Sequence, residues 1–148
     1  MGRIFVYMSF RFTKQEKLRS EKLITRLFQR GNPAIASGPF RMSYILLALP
    51  QGSRCQVLIA ASKKNFKTAV SRNRIKRQLR ELYRINKGNL AKIAEANNLW
   101  IALLISYSTR QELVYKEAEP AFVQGLNRIS HEIEKAAATA VPAADQDL

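Results

Sequence analysis

The chain holds one cysteine, one histidine and two aspartates, Asp145 and Asp147, both among the last four residues. A single thiol, Cys55, can form no intramolecular disulfide, so the fold must stand on packing, and a reducing compartment, the cytoplasm, is the expected home. Without a second cysteine there is no zinc pair, and Cys55 reads as a packed thiol. Metal-dependent nucleases hold their ions on carboxylates, commonly aspartates near strand ends, and no aspartate precedes Asp145. The lone His131 cannot supply both a general acid and a general base. No catalytic residue and no protein-held metal is therefore expected. Long apolar runs are missing as well. Ile4 to Met8 is too short for a signal peptide and no small-residue cleavage site follows. Nothing approaches the roughly 20 apolar residues of a membrane span, so a soluble protein is expected.

Acids are scarce where bases are abundant. Residues 1–92 hold 21 Lys/Arg against 3 acids, and residues 93–148 hold 4 against 8. The net charge of +14 therefore belongs to one part of the molecule. A concentrated field of that sign draws polyanions, nucleic acid first.

With 148 residues the chain is the size of one domain. "TKQE" offers Thr13 as a cap with Glu16 at capping-box spacing. Leu23, Ile24, Leu27 and Phe28 recur at helical spacing and predict a helix over about 20–30, closed by Gly31. "GNPAIASGP" reads as loop. "FRMSYILLAL" and "CQVLIAAS", separated by "PQGS", read as an antiparallel hairpin. "LWIALLISY", residues 99–107, suits a strand covered on both faces. A last helix is expected from Pro120, with Phe122, Leu126, Ile129 and Ile133 inward. From Ala136 the chain reads as a disordered tail.

Between the strands lies the basic segment, and its period is helical. On a 100° wheel, Ile75, Leu79, Leu82, Tyr83 and Ile85 share roughly 160° of arc. Arg74, Lys76, Arg77, Arg80, Arg84, Lys87 and Asn73 cover the other side, with Arg72 at the border. This predicts an amphipathic helix over about 68–87, stopped near Gly88. From Lys63 to Lys87 there are ten Lys/Arg and one acid, Glu81, whose expected partner is Arg77 or Arg84. Like-charge pairs such as Arg72/Lys76 and Arg80/Arg84 cost a few tenths of a kcal/mol each, so this face favours an anionic partner. Arginine adds a planar fork that binds phosphate oxygens in pairs. The order helix, strands, basic helix, strand, helix makes an α+β, two-layer α/β sandwich, and the strands flanking the basic helix are free to pair in parallel, with a right-handed crossover by default.

"SKKNFKTAVSRNRIKRQLRELYR", Ser62 to Arg84, closely resembles the signature of the bacterial ribonuclease P protein subunit: S-K-K, then R-N-R, K-R and R-E on one helix. Those positions here are Ser62, Lys63, Lys64, Arg72, Asn73, Arg74, Lys76, Arg77, Arg80 and Glu81. The resemblance covers roughly residues 12–135, leaving 1–11 as an extension and 136–148 as the tail. It implies the ribosomal protein S5 domain 2-like fold with an uncommon left-handed crossover. It implies a protein that binds the ribonuclease P catalytic RNA and precursor tRNA, assisting endonucleolytic removal of the 5′ leader, with magnesium (Mg2+) at the RNA active site. The RNA-binding set is then Ser62, Lys63, Lys64, Lys67, Arg72, Asn73, Arg74, Lys76, Arg77, Arg80 and Arg84. A cleft between the first helix and the sheet would hold the single-stranded leader, with Ile24, Phe28, Phe40 and Tyr44 as its candidates. One protein per RNA is the expected stoichiometry, and neither DNA nor membrane is expected as a partner. Two departures stand out: "NFKTAVS" has Phe66 and none of the glycine usual before R-N-R, and Ile24 occupies a position commonly aromatic. A ribosomal or RNA-chaperone protein is the competing class. A DNA-binding regulator ranks lower, because strand precedes the basic helix where a helix-turn-helix needs a helix.

Overall fold

The computed structural model describes residues 14–47 and 53–139. Thr13, residues 50–52 of the expected turn "PQGS", the extension 1–11 and residues 140–148 lie outside them. A 3-10 turn, Lys14–Glu16, leads into helix α1, Glu21–Phe28. Strands β1, Ala34–Ser37, β2, Phe40–Leu47, and β3, Cys55–Ala61, follow. Then come α2, Ala69–Asn86, α3, Gly88–Ala96, β4, Trp100–Tyr107, and α4, Tyr115–Thr139.

The four strands form one sheet in the order β1-β2-β4-β3, with β3 parallel to β4 and the other pairs antiparallel. The expected β2–β3 hairpin is thus wrong: β4 lies between those strands. Its residues Ile101 to Ile105 are all buried, and a strand apolar on both faces belongs in the sheet centre, whatever its place in the chain. The parallel pairing around the basic helix is observed.

"GNPAIASGP" is not all loop. Ala34–Ser37 pairs with β2 through a two-residue turn at Gly38 and Pro39. Small residues hid the strand, and contacts from α4 hold it: the Ser37 hydroxyl donates to the Ala121 carbonyl at 2.7 Å and Arg128 to the Ala36 carbonyl at 3.1 Å. Gly38 is needed there twice over. Its φ is +55°, and a Cβ would lie 2.8 Å from that of Ala121.

Ser20 caps α1 by accepting from the Leu23 amide at 3.3 Å, and Thr68 caps α2 by accepting from the Ser71 amide at 3.1 Å. The basic helix ends one residue short of its expected stop, and Gly88 opens α3, which was not anticipated. Its buried Leu90, Ile93 and Ala94 are too few to announce a helix from pattern alone. The last helix begins at Tyr115, not Pro120. The Val114 carbonyl accepts from the Glu117 and Ala118 amides, and Pro120 forfeits only the bond that its missing N–H would make to the carbonyl four residues back, near the helix start. At the other end α4 runs through Thr139, past the expected tail boundary at Ala136, because alanines readily extend a helix already nucleated.

The sheet has two unlike faces. Phe40, Met42, Tyr44, Val57, Ile101, Leu103, Ile105 and Tyr107 pack under α2, α3 and α4 with Ile75, Leu79, Leu82, Tyr83, Phe122, Leu126, Ile129 and Ile133. Ile85, expected in this core, is exposed. It lies at the outer edge of the apolar arc, and the buried residues Ile75, Leu79, Leu82 and Tyr83 take up the rest of that arc. On the other face, Ile45, Leu47, Ala102 and Leu104 pack with Leu18 and the α1 residues Leu23 and Leu27, with Ile24, Leu58, Ala60 and Trp100 half-buried around them.

One buried ion pair joins the chain's first described segment to the end of the basic helix. The Lys87 ammonium donates to the Glu16 carboxylate, and both side chains are almost fully covered. Breaking a buried pair from one side leaves a charge without its counter-charge, at roughly 3–5 kcal/mol. Glu16→Gln is expected to lower the unfolding free energy by about that amount in urea denaturation, with the denaturant slope unchanged.

Candidate nucleic-acid interface

The outward face of α2 carries Asn73, Arg74, Arg77 and Arg80 exposed, with Lys76 half-buried beside them. Ser62, Lys63, Lys64 and Lys67 are exposed in the loop before it. That loop is built around Phe66. In place of a glycine, the chain turns with the Phe66 amide donating to the Ser62 carbonyl at 2.9 Å, and the ring packs 6.0 Å from Tyr107. The Ser62 hydroxyl accepts from the Lys64 amide at 3.0 Å, so it is partly occupied in shaping the turn.

The cations divide into three groups. Arg72 donates to the Phe66 and Lys67 carbonyls at 2.8 and 3.1 Å, which pins the loop to the helix. Arg84 pairs with Glu81, Nε to Oε2 at 3.0 Å, one of its two expected partners, and the pairing holds the carboxyl below its usual range. Arg74 faces Glu112 at 3.8 Å, a solvent-exposed pair of little worth. Among the described residues, no carboxylate lies within ion-pair distance of Lys76, Arg77 or Arg80. Charge on this row is uncompensated, as its sequence implied.

The expected leader cleft divides. Ile24 and Phe28 lie one turn apart on one face of α1, with Ile24 half-buried and Phe28 63% exposed. Phe40 and Tyr44 are on the opposite side of the sheet and are both buried, so neither offers a ring face. Phe40 packs against Phe122 at 5.1 Å, and the Tyr44 hydroxyl donates to Glu132 at 3.0 Å. Their assignment to a cleft is corrected for a simple reason of parity: neighbours along a strand point to opposite faces. Arg41 and Ser43 share the α1 side, and pairing sets Arg41 opposite both Ala36 and Ser106. Arg41, exposed on that side, was not among the expected cleft residues, because alternation alone does not say which face of the strand is covered.

Cys55 heads β3 and is buried beside Tyr83. Burial, then the nearby Glu16 carboxylate, push the thiol up to about 12. The same burial lifts the Tyr83 hydroxyl well above its ordinary value. His131 is exposed on α4. Among the described residues there is no group of three or more histidines, cysteines, aspartates or glutamates that could hold a metal, and no helix long and apolar enough to cross a membrane.

Fold and face together define a class, the small single-domain α+β protein with an outward-facing arginine-rich helix. The sequence model of the family Ribonuclease P matches residues 12–130, and the chain belongs to that family. It is 28% identical over 129 residues to a ribonuclease P protein component of Porphyromonas gingivalis, covering 87% of this chain and 93% of that one. It is 32% identical over 116 residues to the component of Mycoplasma genitalium, covering 78% and 82%. Among solved structures, the RNase P protein of Staphylococcus aureus shares the fold, with a TM-score of 0.56 at 17% identity over 78% of this chain and 96% of that one.

The raised thiol value carries its own test. In the folded protein Cys55 is expected to resist a disulfide reagent at pH 8 and to react once urea unfolds the chain. An acid whose folded value is raised stabilises fully below its unfolded value, near 9, and that contribution is lost as the pH climbs to about 12. Stability measured by denaturation should fall across that window.

Proposed function

We propose that this chain is the protein subunit of ribonuclease P, binding the catalytic RNA through α2 and its leading loop and assisting removal of the 5′ leader from precursor tRNA. The observation that carries the proposal is the row Lys76, Arg77 and Arg80, held outward on a rigid helix without carboxylate partners, in a chain of this family. A fork of guanidinium donors on a fixed helix face meets phosphates with little ordering cost. Asn73 adds a donor and an acceptor within the row. The reaction is phosphodiester hydrolysis, and its chemistry belongs to the RNA together with its magnesium ions. The protein contributes affinity and position.

On the other side of the sheet, Phe28 offers a base-stacking surface, and Arg41 with Ser106 supplies cation and hydroxyl on the facing strands. This is the cleft for the single-stranded leader. Ile24 lines it as an apolar wall where a ring would stack.

Arg74→Ala with Arg77→Ala is expected to weaken binding of the catalytic RNA and to lower the salt slope by about one for each phosphate left without its cation. Arg72 is a poorer choice, because its loss also frees the loop at Phe66. Precursor-tRNA cleavage at low magnesium, with the catalytic RNA of the same organism, should need both RNA and protein. Protein that binds structured RNA without stimulating cleavage would instead indicate a structural RNA-binding role. In that assay Phe28→Ala should weaken binding of a long-leader precursor by about 1–3 kcal/mol and leave mature tRNA unaffected.

A further inference from the structure

A depression of about 230 Å³ opens where the N-terminal segment, β3 and α2 meet. Four cations surround it, Lys17 and Arg19 from the first segment and Lys76 and Arg80 from α2, over a floor formed by Leu18 and the middle of β3. No carboxylate lines it, and among the described residues none of the four cations has a carboxylate within ion-pair distance. Lys76 and Arg80, four residues apart on one helix face, already repel each other. A second pair of cations against the same depression raises that repulsion further, and an anion seated between the walls would reverse it.

The two walls are held in place rather than left to drift. Lys17 bridges to Val57 in parallel, and the Leu18 amide donates to the Val57 carbonyl at 3.0 Å. The backbone of Ile59, two residues along, points to that same outer edge of the sheet. Glu16, next to Lys17, is anchored to Lys87 at the far end of α2 by the buried ion pair. The first segment is therefore tied both to the strand edge and to the helix that bears the other two cations. Little ordering remains to be done when a ligand arrives.

We propose that Lys17, Arg19, Lys76 and Arg80 form one site for a single phosphodiester of an RNA strand, with the attached nucleoside resting on Leu18 and Leu58. The site rests on the RNA-binding reading above and extends it to two residues outside the basic helix, Lys17 and Arg19. Cations alone would suit any phosphate. The apolar floor selects one that carries a nucleoside.

The test is a double-mutant cycle on the full chain, Arg19→Gln, Arg80→Gln and both, with affinity for the catalytic RNA followed by fluorescence anisotropy across a potassium chloride series. Both side chains are exposed, and thermal unfolding followed by circular dichroism checks that the variants remain folded; Lys17→Gln replaces Arg19→Gln if that variant does not. A shared phosphate predicts that each single change weakens binding several-fold, that the double change adds little, and that the salt slope falls by about one in all three. Additive losses with a slope lowered by about two would mean separate phosphates and overturn the site. So would wild-type affinity in folded variants, which would leave the RNA-binding reading intact. Failure of the wild-type chain to bind the RNA would overturn both. In competition, a nucleoside 5′-monophosphate should displace the RNA at lower concentration than inorganic phosphate, and equal displacement would overturn the nucleoside seat.

Discussion

Burial of one face of α2 is the interaction on which the rest depends, because the other face of that helix works against its folding. Each like-charge pair four residues apart costs a few tenths of a kcal/mol, and the row has several. Ile75, Leu79, Leu82 and Tyr83 are each at most 3% exposed, and a buried side chain of this size contributes about 1.5–3 kcal/mol. Four such anchors outweigh the repulsion comfortably. That margin keeps the helix docked on the sheet despite the repulsion within its cationic row.

The sheet converts that one docked helix into a molecule with two separate surfaces. Its crowded face takes α2, α3 and α4, while among the described residues its other face is covered by α1 and Leu18, with Arg41 exposed on that side. Central β4 serves both faces at once, and its burial on both sides makes the two cores mechanically one. The buried Glu16–Lys87 pair then ties the segment entering α1 to the end of α2. The cationic face of α2 and the α1 side of the sheet are thus joined through one frame.

Much of the candidate interface was legible because charge and helical period are local properties. The bounds of α2, to within a residue at each end, and four of its five inward residues follow from spacing alone, and the Ser62-to-Arg84 signature pointed to the family. Ile85 failed because a helical wheel does not say how wide an arc the neighbouring elements cover. Phe40 and Tyr44 failed because strand alternation says that neighbours face opposite ways, but not which face is covered. Strand β1 was unreadable, since its small residues carry no apolar pattern and its partners Ala121 and Arg128 come from the distant α4.

By itself, then, the sequence determined where charge collects, that α1, α2 and most of α4 are helical, and which strand must be buried on both sides. Those follow from side-chain chemistry within about one turn or one strand of each position. Only the tertiary structure decided the strand order, the side of the sheet on which each residue falls, and the meeting of Lys17 and Arg19 with Lys76 and Arg80. Contacts between residues some 60 positions apart depend on which faces of the sheet the helices cover, and that choice is made by packing the whole chain at once.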